Sequence, residues 1–212
     1  MRTHMAQALL IFKPDASYRL GVRSACWRWL SDNPDVEVKA LRWYQAPRSL
    51  VEEHYGFLSD RPFYGWLLDF MTALPLLVGR LEASASSLEE LRTQLGETIV
   101  EQARPGSLRQ RLGILGGINC LHVSDSPGTG EAEVDLWSKH IALAAGVEDA
   151  PPLTSQDPDH TFQLRALAQQ VRSGIHTELA AAEMRRLLRQ ETDLAEPEFE
   201  GLWRVIYLAL SN

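Results

Sequence analysis

The chain has 212 residues, 45% of them apolar and 23% charged, a balance that excludes wholesale disorder and suits one domain, or one domain with an appendage. Its 21 Lys and Arg stand against 28 Asp and Glu, a net charge of −7; broad attraction to nucleic acid or to an anionic membrane is excluded, while a local basic pocket for a small anion is not. The two cysteines, Cys26 and Cys120, are too few for a disulfide framework and belong to no metal-binding motif.

Met1 to Gln7 lacks the apolar stretch of a signal peptide, and no run reaches the roughly 18 apolar residues of a membrane span, so a soluble, cytoplasmic protein is expected. Ala6 to Phe12 is an almost continuous apolar run that reads as a buried strand, ended by Lys13-Pro14-Asp15, where a loop is expected to start. Val22, Ala25, Cys26, Trp29 and Leu30 recur at helical spacing until Ser31-Asp32-Asn33-Pro34, and Val36 to Tyr44 then alternates as a second strand. Helices are expected around Ser49 to Phe57 and Phe63 to Thr72, with a third strand over Pro75 to Leu81. Ser86 with Glu89 forms a capping-box signature, which predicts a helix from about Ser87 to Leu95 ending at Gly96. Glu97 to Leu112 shows no sustained period, and unstructured segments of that length in compact domains are often functional. Ile118 to Val123 reads as a fourth strand carrying His122, followed by a helix that starts at Ser126-Pro127 and runs through Trp137.

Gly146 to Thr161 is rich in proline, acidic and small residues and reads as a linker. Beyond it, apolar residues from Phe162 to Leu210 describe three amphipathic helices. About 50 residues is marginal for an independent core, so these helices are expected to dock on the main domain or on a partner. The expected division is a domain over residues 1–139, a linker over 140–161 and a helical extension over 162–212.

Single residues carry little chemistry. His122 in an apolar strand suits a hydrogen-bonded core histidine, Arg92 and Arg109 suit solvated surface charges, and Tyr55 and Phe63 suit packing. The common phosphate and metal motifs, G-x-x-x-x-G-K-[ST], G-x-G-x-x-G and H-E-x-x-H, are missing. Their order and spacing say more: Lys13-Pro14-Asp15, His54-Tyr55, Asp60-Arg61-Pro62-Phe63-Tyr64, Leu95-Gly96-Glu97-Thr98, Arg104-Pro105-Gly106-Ser107-Leu108-Arg109 and Asn119-Cys120-Leu121-His122-Val123-Ser124-Asp125-Ser126. In that sequence, from about Ala8 to Trp137, the chain resembles the nucleoside diphosphate kinase family.

The resemblance implies an α+β fold, a ferredoxin-like βαββαβ core with an antiparallel sheet, here followed by a C-terminal α-helical extension. It implies an enzyme that exchanges the terminal phosphate between nucleoside triphosphates and diphosphates by a ping-pong mechanism through phosphorylated His122. Glu133 matches the glutamate that hydrogen-bonds the histidine, and Ser124 the hydroxyl that supports it. Lys13, Tyr55, Arg92, Thr98 and Arg109 match phosphate-binding positions, Asn119 with Lys13 the ribose contacts, and Phe63 with Leu67 the apolar clamp on the base. Mg2+ is implied as cofactor, held mainly by the nucleotide phosphates with no protein ligand set. The implied partners are nucleotides and further copies of the chain in a homo-oligomer, without nucleic acid or membrane; the extension adds the prospect of a protein partner.

Four departures bear on this reading. Ala16 stands where the family usually has glycine, Gln110-Arg111-Leu112 replaces its usual continuation, and Gly128 and Gly130 lie in the first turns of the helix carrying Glu133, which glycine weakens. They leave two alternatives: a catalytically weak nucleotide-binding or scaffold module of the same fold, or a phosphohistidine donor to a protein bound by the extension.

Overall fold

The N-terminal apolar run forms strand β1 (Ala6–Phe12), and the period of two along a strand divides its side chains between two core layers: Leu9 and Ile11 face one, Ala8, Leu10 and Phe12 the other. The structure, a computed structural model, describes residues 5–154 and 156–210. Where a loop was expected, Lys13-Pro14-Asp15 opens the short helix α1 (Pro14–Tyr18), because Pro14 occupies the first helical position, where its missing N–H and fixed φ do no harm. Ala16 lies within α1 and outside the left-handed region, so the strain expected of an alanine there does not arise.

The chain continues through α2 (Leu20–Ser31), β2 (Val36–Tyr44), α3 (Arg48–His54), α4 (Tyr64–Thr72) and β3 (Leu76–Ala83). Strand β3 pairs as far as Ala83, opposite Ala6 and Val36, which leaves Ser84 as the single residue before α5 (Ala85–Leu95). Ser84 and not Ser86 is therefore the N-cap, its Oγ accepting the Ser87 N–H at 3.1 Å. The aperiodic segment after Gly96 holds a 3-10 turn over Val100–Gln102 and the short helix α6 (Leu108–Leu112).

Strand β4 is only Leu121–Val123, shorter than the apolar run suggested. Ile114 and Ile118 close a tight turn, with the Ile114 N–H on the Ile118 carbonyl at 2.9 Å, and Cys120 then takes a left-handed φ of 73° that breaks extended pairing. Helix α7 (Pro127–Ser138) follows, capped by Ser126, and Gly130 has a packing reason: a Cβ there would stand 2.0 Å from the Gln7 carbonyl oxygen of β1.

The sheet order is β4-β1-β3-β2-β5, where β5 is Gly146–Val147. The first four strands pair antiparallel in the ferredoxin-like βαββαβ arrangement, and β5 adds a parallel edge beside Ala40 and Leu41 of β2. One face of the sheet packs on α2, α5 and α6; the other packs on α3, α4 and α7.

The extension forms α8 (Thr161–Arg172), α9 (Thr177–Gln190) and α10 (Glu196–Leu210). Leu164, Met184, Leu188, Phe199 and Ile206 join the same apolar cluster as Leu9, Ile11 and Trp137, so the helices bury their stripes against the second face within one chain. The segment before them is bound along its length: Arg42 donates to the Ala142 and Ala145 carbonyls at 2.8 Å, and Arg28 to the Leu153 carbonyl at 2.7 Å. The fully buried Arg19 fastens the whole, pairing with buried Glu191 and donating to Thr161 Oγ1 at 2.7 Å and the Leu112 carbonyl at 3.1 Å.

Removing one partner of a buried ion pair leaves the other charged and unpaired. Arg19→Ala is expected to lower the unfolding free energy in urea by about 3–5 kcal/mol, with Glu191→Ala in the same background costing less than the sum of the two single changes. A loss below about 1 kcal/mol would contradict the role of this pair.

Candidate functional site

Strand β4 and helix α7 both pack on β1 and bring His122, Ser124 and Glu133 together. His122, paired in register with Ile11, points its Nε2 at Glu133 Oε2, 2.8 Å away. The same carboxylate oxygen accepts from Ser124 Oγ at 2.6 Å, and Ser124 Oγ in turn accepts the Leu9 N–H at 2.8 Å. Burial opposes the charge on Glu133, yet the hydrogen bond and nearby charge of His122 outweigh it and hold the carboxyl below its ordinary range. An ionised carboxylate only accepts, so His122 Nε2 carries the proton and Nδ1 bears the lone pair; among the described residues no partner takes Nδ1.

His122 and Glu133 open onto a cleft of about 460 Å³. At the histidine end stand three cations. Lys13 sits at the turn from β1 into α1, 5% exposed, with Nζ donating to the Gly117 carbonyl at 3.2 Å; burial first and then Arg109 push its pKa down to about 8. Arg109, from α6, donates to the Gly96 and Leu121 carbonyls at 2.9 and 2.8 Å and to Thr98 Oγ1 at 3.4 Å. Burial and neighbouring Arg92 lower its pKa to about 10, and its Nε has no partner among the described residues. Arg92, from α5, donates to the Val123 carbonyl at 3.0 Å and pairs with Asp125.

Tyr55 follows α3 and lines the cleft, nearly buried, its hydroxyl buried and without a partner among the described residues. Burial raises its pKa, with Glu133 adding to the effect, so the phenol stays a donor. Phe63, Leu67, Ile99 and Leu115 supply apolar lining to the same cleft. Asn119 and Ser124 do not line it: both are buried behind the wall, Asn119 donating Nδ2 to the Thr98 carbonyl while its Oδ1 is left unpaired. Nine of the eleven residues singled out from the sequence thus share the cleft wall. Arg111 is exposed and adds no charge to it.

Sequence reasoning left His54 out, and the only signal was its place next to Tyr55. Its ring stands edge-on to His122, centroids 4.9 Å apart, and its Nδ1 accepts the Trp137 indole N–H at 3.2 Å. The neutral ring therefore carries its proton on Nε2, which faces Glu133 Oε1 at 4.0 Å. Burial, with His122 next, lowers the His54 pKa to about 3. His54, His122 and Glu133 could bring three ligand atoms within 4.8 Å of one another. A metal would need the Nε2 lone pair of His54, and the Trp137 hydrogen bond places the proton there instead.

His54 also sets an acid limb on stability. The unfolded chain protonates it near pH 6.5 and the folded chain only near 3, so between those values the unfolded state binds more protons and stability falls as pH falls, by up to about 1.4 kcal/mol per unit. His54→Phe is expected to lower stability at pH 7 by about 1–3 kcal/mol through the unpaired Trp137 N–H, and to flatten the decline in urea midpoint between pH 6.5 and 4. An equally steep decline in the variant would contradict the buried neutral ring.

Comparison with known proteins agrees with this geometry. The family model described as nucleoside diphosphate kinase matches residues 6–142. The nucleoside diphosphate kinase of Staphylococcus haemolyticus is 33% identical over 141 residues, covering 66% of this chain and 93% of the relative. That of Nocardia farcinica is 32% identical over 138 residues, covering 65% and 98%. Among solved structures, the Aquifex aeolicus nucleoside diphosphate kinase superposes with a TM-score of 0.57 at 28% identity, covering 67% of this chain and 99% of that one. A halophilic nucleoside diphosphate kinase from Halobacterium salinarum, solved with CDP, gives 0.57 at 23% identity, covering 76% and 99%, a likeness of fold. With a family model over most of its length and a cleft built from the family's residue blocks, the chain belongs to the nucleoside diphosphate kinase family, a family of phosphoryl-transferring enzymes.

Proposed function

We propose that the protein exchanges terminal phosphates between nucleoside triphosphates and diphosphates, with Nδ1 of His122 as the relay atom. The observation that carries this reading is the Glu133 hydrogen bond at 2.8 Å, which occupies Nε2 and leaves the Nδ1 lone pair at a cleft walled by Lys13, Arg92 and Arg109. In the first step that lone pair attacks the γ-phosphorus, the bond to the β-bridging oxygen breaks, and the diphosphate departs with the electron pair. In the second, a terminal oxygen of another diphosphate attacks the phosphorus and the N–P bond breaks, returning the lone pair to Nδ1. One nucleotide site serves both steps.

The spread negative charge of the transition state needs donors already in place. Arg109 is fixed by backbone carbonyls, and the Tyr55 hydroxyl and the Arg109 Nε are donors without protein partners. Glu133 stabilises the positive charge that develops on the ring, and Ser124 keeps the carboxylate aimed. Phe63 and Leu67 would hold the base and Lys13 the ribose hydroxyl; Asn119, implied by the resemblance as a second ribose contact, is buried behind the cleft wall with its amide on the Thr98 carbonyl.

Magnesium prefers oxygen ligands. The carboxylates at the cleft are already engaged, Glu133 by His122 and Ser124, Asp125 by Arg92. An ion here would take its oxygens from the phosphates and water, where it would neutralise phosphate charge. The alternative of a catalytically weak binding module rested on Ala16, Gln110-Arg111-Leu112 and the extension; Ala16 and Gln110-Arg111-Leu112 do not line the cleft, whereas Arg172 and Ala209 of the extension do. Most of the apolar stripes that suggested a protein partner pack within the chain, while Phe162 and Leu179 stay exposed. Among the described residues no helix is long and apolar enough to cross a membrane. A cytoplasmic homo-oligomer is the setting we propose.

Incubation with magnesium and γ-labelled ATP should give an acid-labile, alkali-stable label that GDP removes as GTP. His122→Ala should take no label and lose at least about 10³-fold in turnover, and Glu133→Gln about 10- to 100-fold. Equal labelling of wild type and His122→Ala would overturn the assignment. Lys13 loses its charge as pH rises through about 8, so ATP affinity of the free enzyme should fall above that pH. An affinity flat from pH 7 to 10 would remove Lys13 from the phosphate site.

A further inference from the structure

The extension enters the cleft. Arg172, at the end of α8, and Ala209, in α10, line the same cavity as Phe63 and His122, although both lie beyond residue 142, where the family match ends. Arg172 is held there. Its Nη1 pairs with Glu101 Oε1 at 3.2 Å, and the other oxygen of Glu101 accepts the Gly116 N–H at 2.9 Å. The guanidinium is thereby tied to the loop of Leu115, Gly116 and Gly117 that walls the cleft. Lys13 grips the same loop through the Gly117 carbonyl at 3.2 Å. A third tie fixes the distance between extension and base clamp: Trp66, in α4 beside Leu67, donates its indole N–H to the Val205 carbonyl of α10 at 2.7 Å.

These ties divide the four cations that line the cleft. Lys13, Arg92 and Arg109 cluster with His122 and Thr98, where phosphates would lie. Arg172 pairs instead with Glu101 and lines a neighbouring hollow together with Leu115, and only its Nη1 is engaged; its other donors have no partner among the described residues.

We propose that Arg172 reads the nucleobase and that guanine nucleotides are its preferred class; the proposal rests on the kinase reading of the same cleft. An arginine fork matches two neighbouring acceptors on one edge, and guanine presents O6 and N7 together. Adenine sets an amino donor beside N7, which opposes the fork. Pyrimidine rings are shorter and carry their edges less far from the ribose. A base lying against Phe63 and Leu67 would offer its ring face to these side chains, which are indifferent to the donor pattern, and leave its edge for Arg172, which lines the same cleft. Because Arg172 is half exposed, the discrimination is set at about tenfold, the low end for a forked pair.

The test measures equilibrium binding and turnover of GDP, ADP, CDP and UDP with the intact chain and with Arg172→Ala and Arg172→Lys. The intact protein should bind GDP about tenfold more tightly than ADP. Both variants should lose about that factor for GDP and less than twofold for the others, with the loss in KM and not in kcat. Arg172→Lys keeps the charge and lacks the fork, so rescue by lysine would overturn the forked contact. A loss shared equally by all four diphosphates, or no loss at all, would overturn base reading while leaving the kinase reading intact. Failure of the intact protein to bind or turn over any diphosphate would overturn the kinase reading, and this proposal with it.

Discussion

The site depends on one carboxylate being held in one place. Glu133 reaches His122 only because α7 lies directly on β1, and it can lie there only because Gly130 has no Cβ to meet the Gln7 carbonyl. Ser124 completes the constraint from the other side, one hydroxyl spanning the Leu9 backbone and the carboxylate. Strand, helix and side chain thus fix which ring nitrogen carries the proton. A glycine that weakens a helix in isolation here lets that helix approach its strand, a case of local propensity yielding to packing.

The second organising feature is charge held apart from its partner. The chain is acidic overall, yet Lys13 and Arg109 are buried near one another, and burial together with neighbouring cations lowers both pKa values. Such a cluster is costly in the empty cleft and favourable once a polyanion enters, which places electrostatic preorganisation where phosphoryl transfer needs it.

Much of this was legible in the sequence. The strands over Ala6–Phe12 and Val36–Tyr44 follow from apolar runs and alternation, and Gly96 ends α5 with a φ of 89° as a C-terminal glycine should. The failures have physical causes. Five serine or alanine residues in a row, Ala83 to Ser87, cannot say which one caps α5; the end of β3 pairing decides it. The left-handed Cys120 shortens β4, and nothing local marks a cysteine for that conformation. The segment read as a linker is held by Arg28 and Arg42, contacts more than 95 residues distant in sequence that no window of periodicity can contain. Motif order brought the cleft residues together, but His54 was invisible because its importance lies in the indole of Trp137, 83 residues away.

The extension belongs to the same account, since Arg19, Glu191 and the Trp66 indole make α8 to α10 part of the framework around the cleft and not an appendage beside it. In the function proposed above, that framework serves the Nδ1 lone pair of His122. The most direct measurement prepares the phosphoenzyme with magnesium ATP and 15N-labelled histidine and reads the phosphorus–nitrogen coupling by NMR. Phosphorus bonded to Nδ1 of His122 is the predicted result. Phosphorus on Nε2, or on no histidine, would contradict an account in which Glu133 occupies Nε2 and hands the reaction to the other nitrogen.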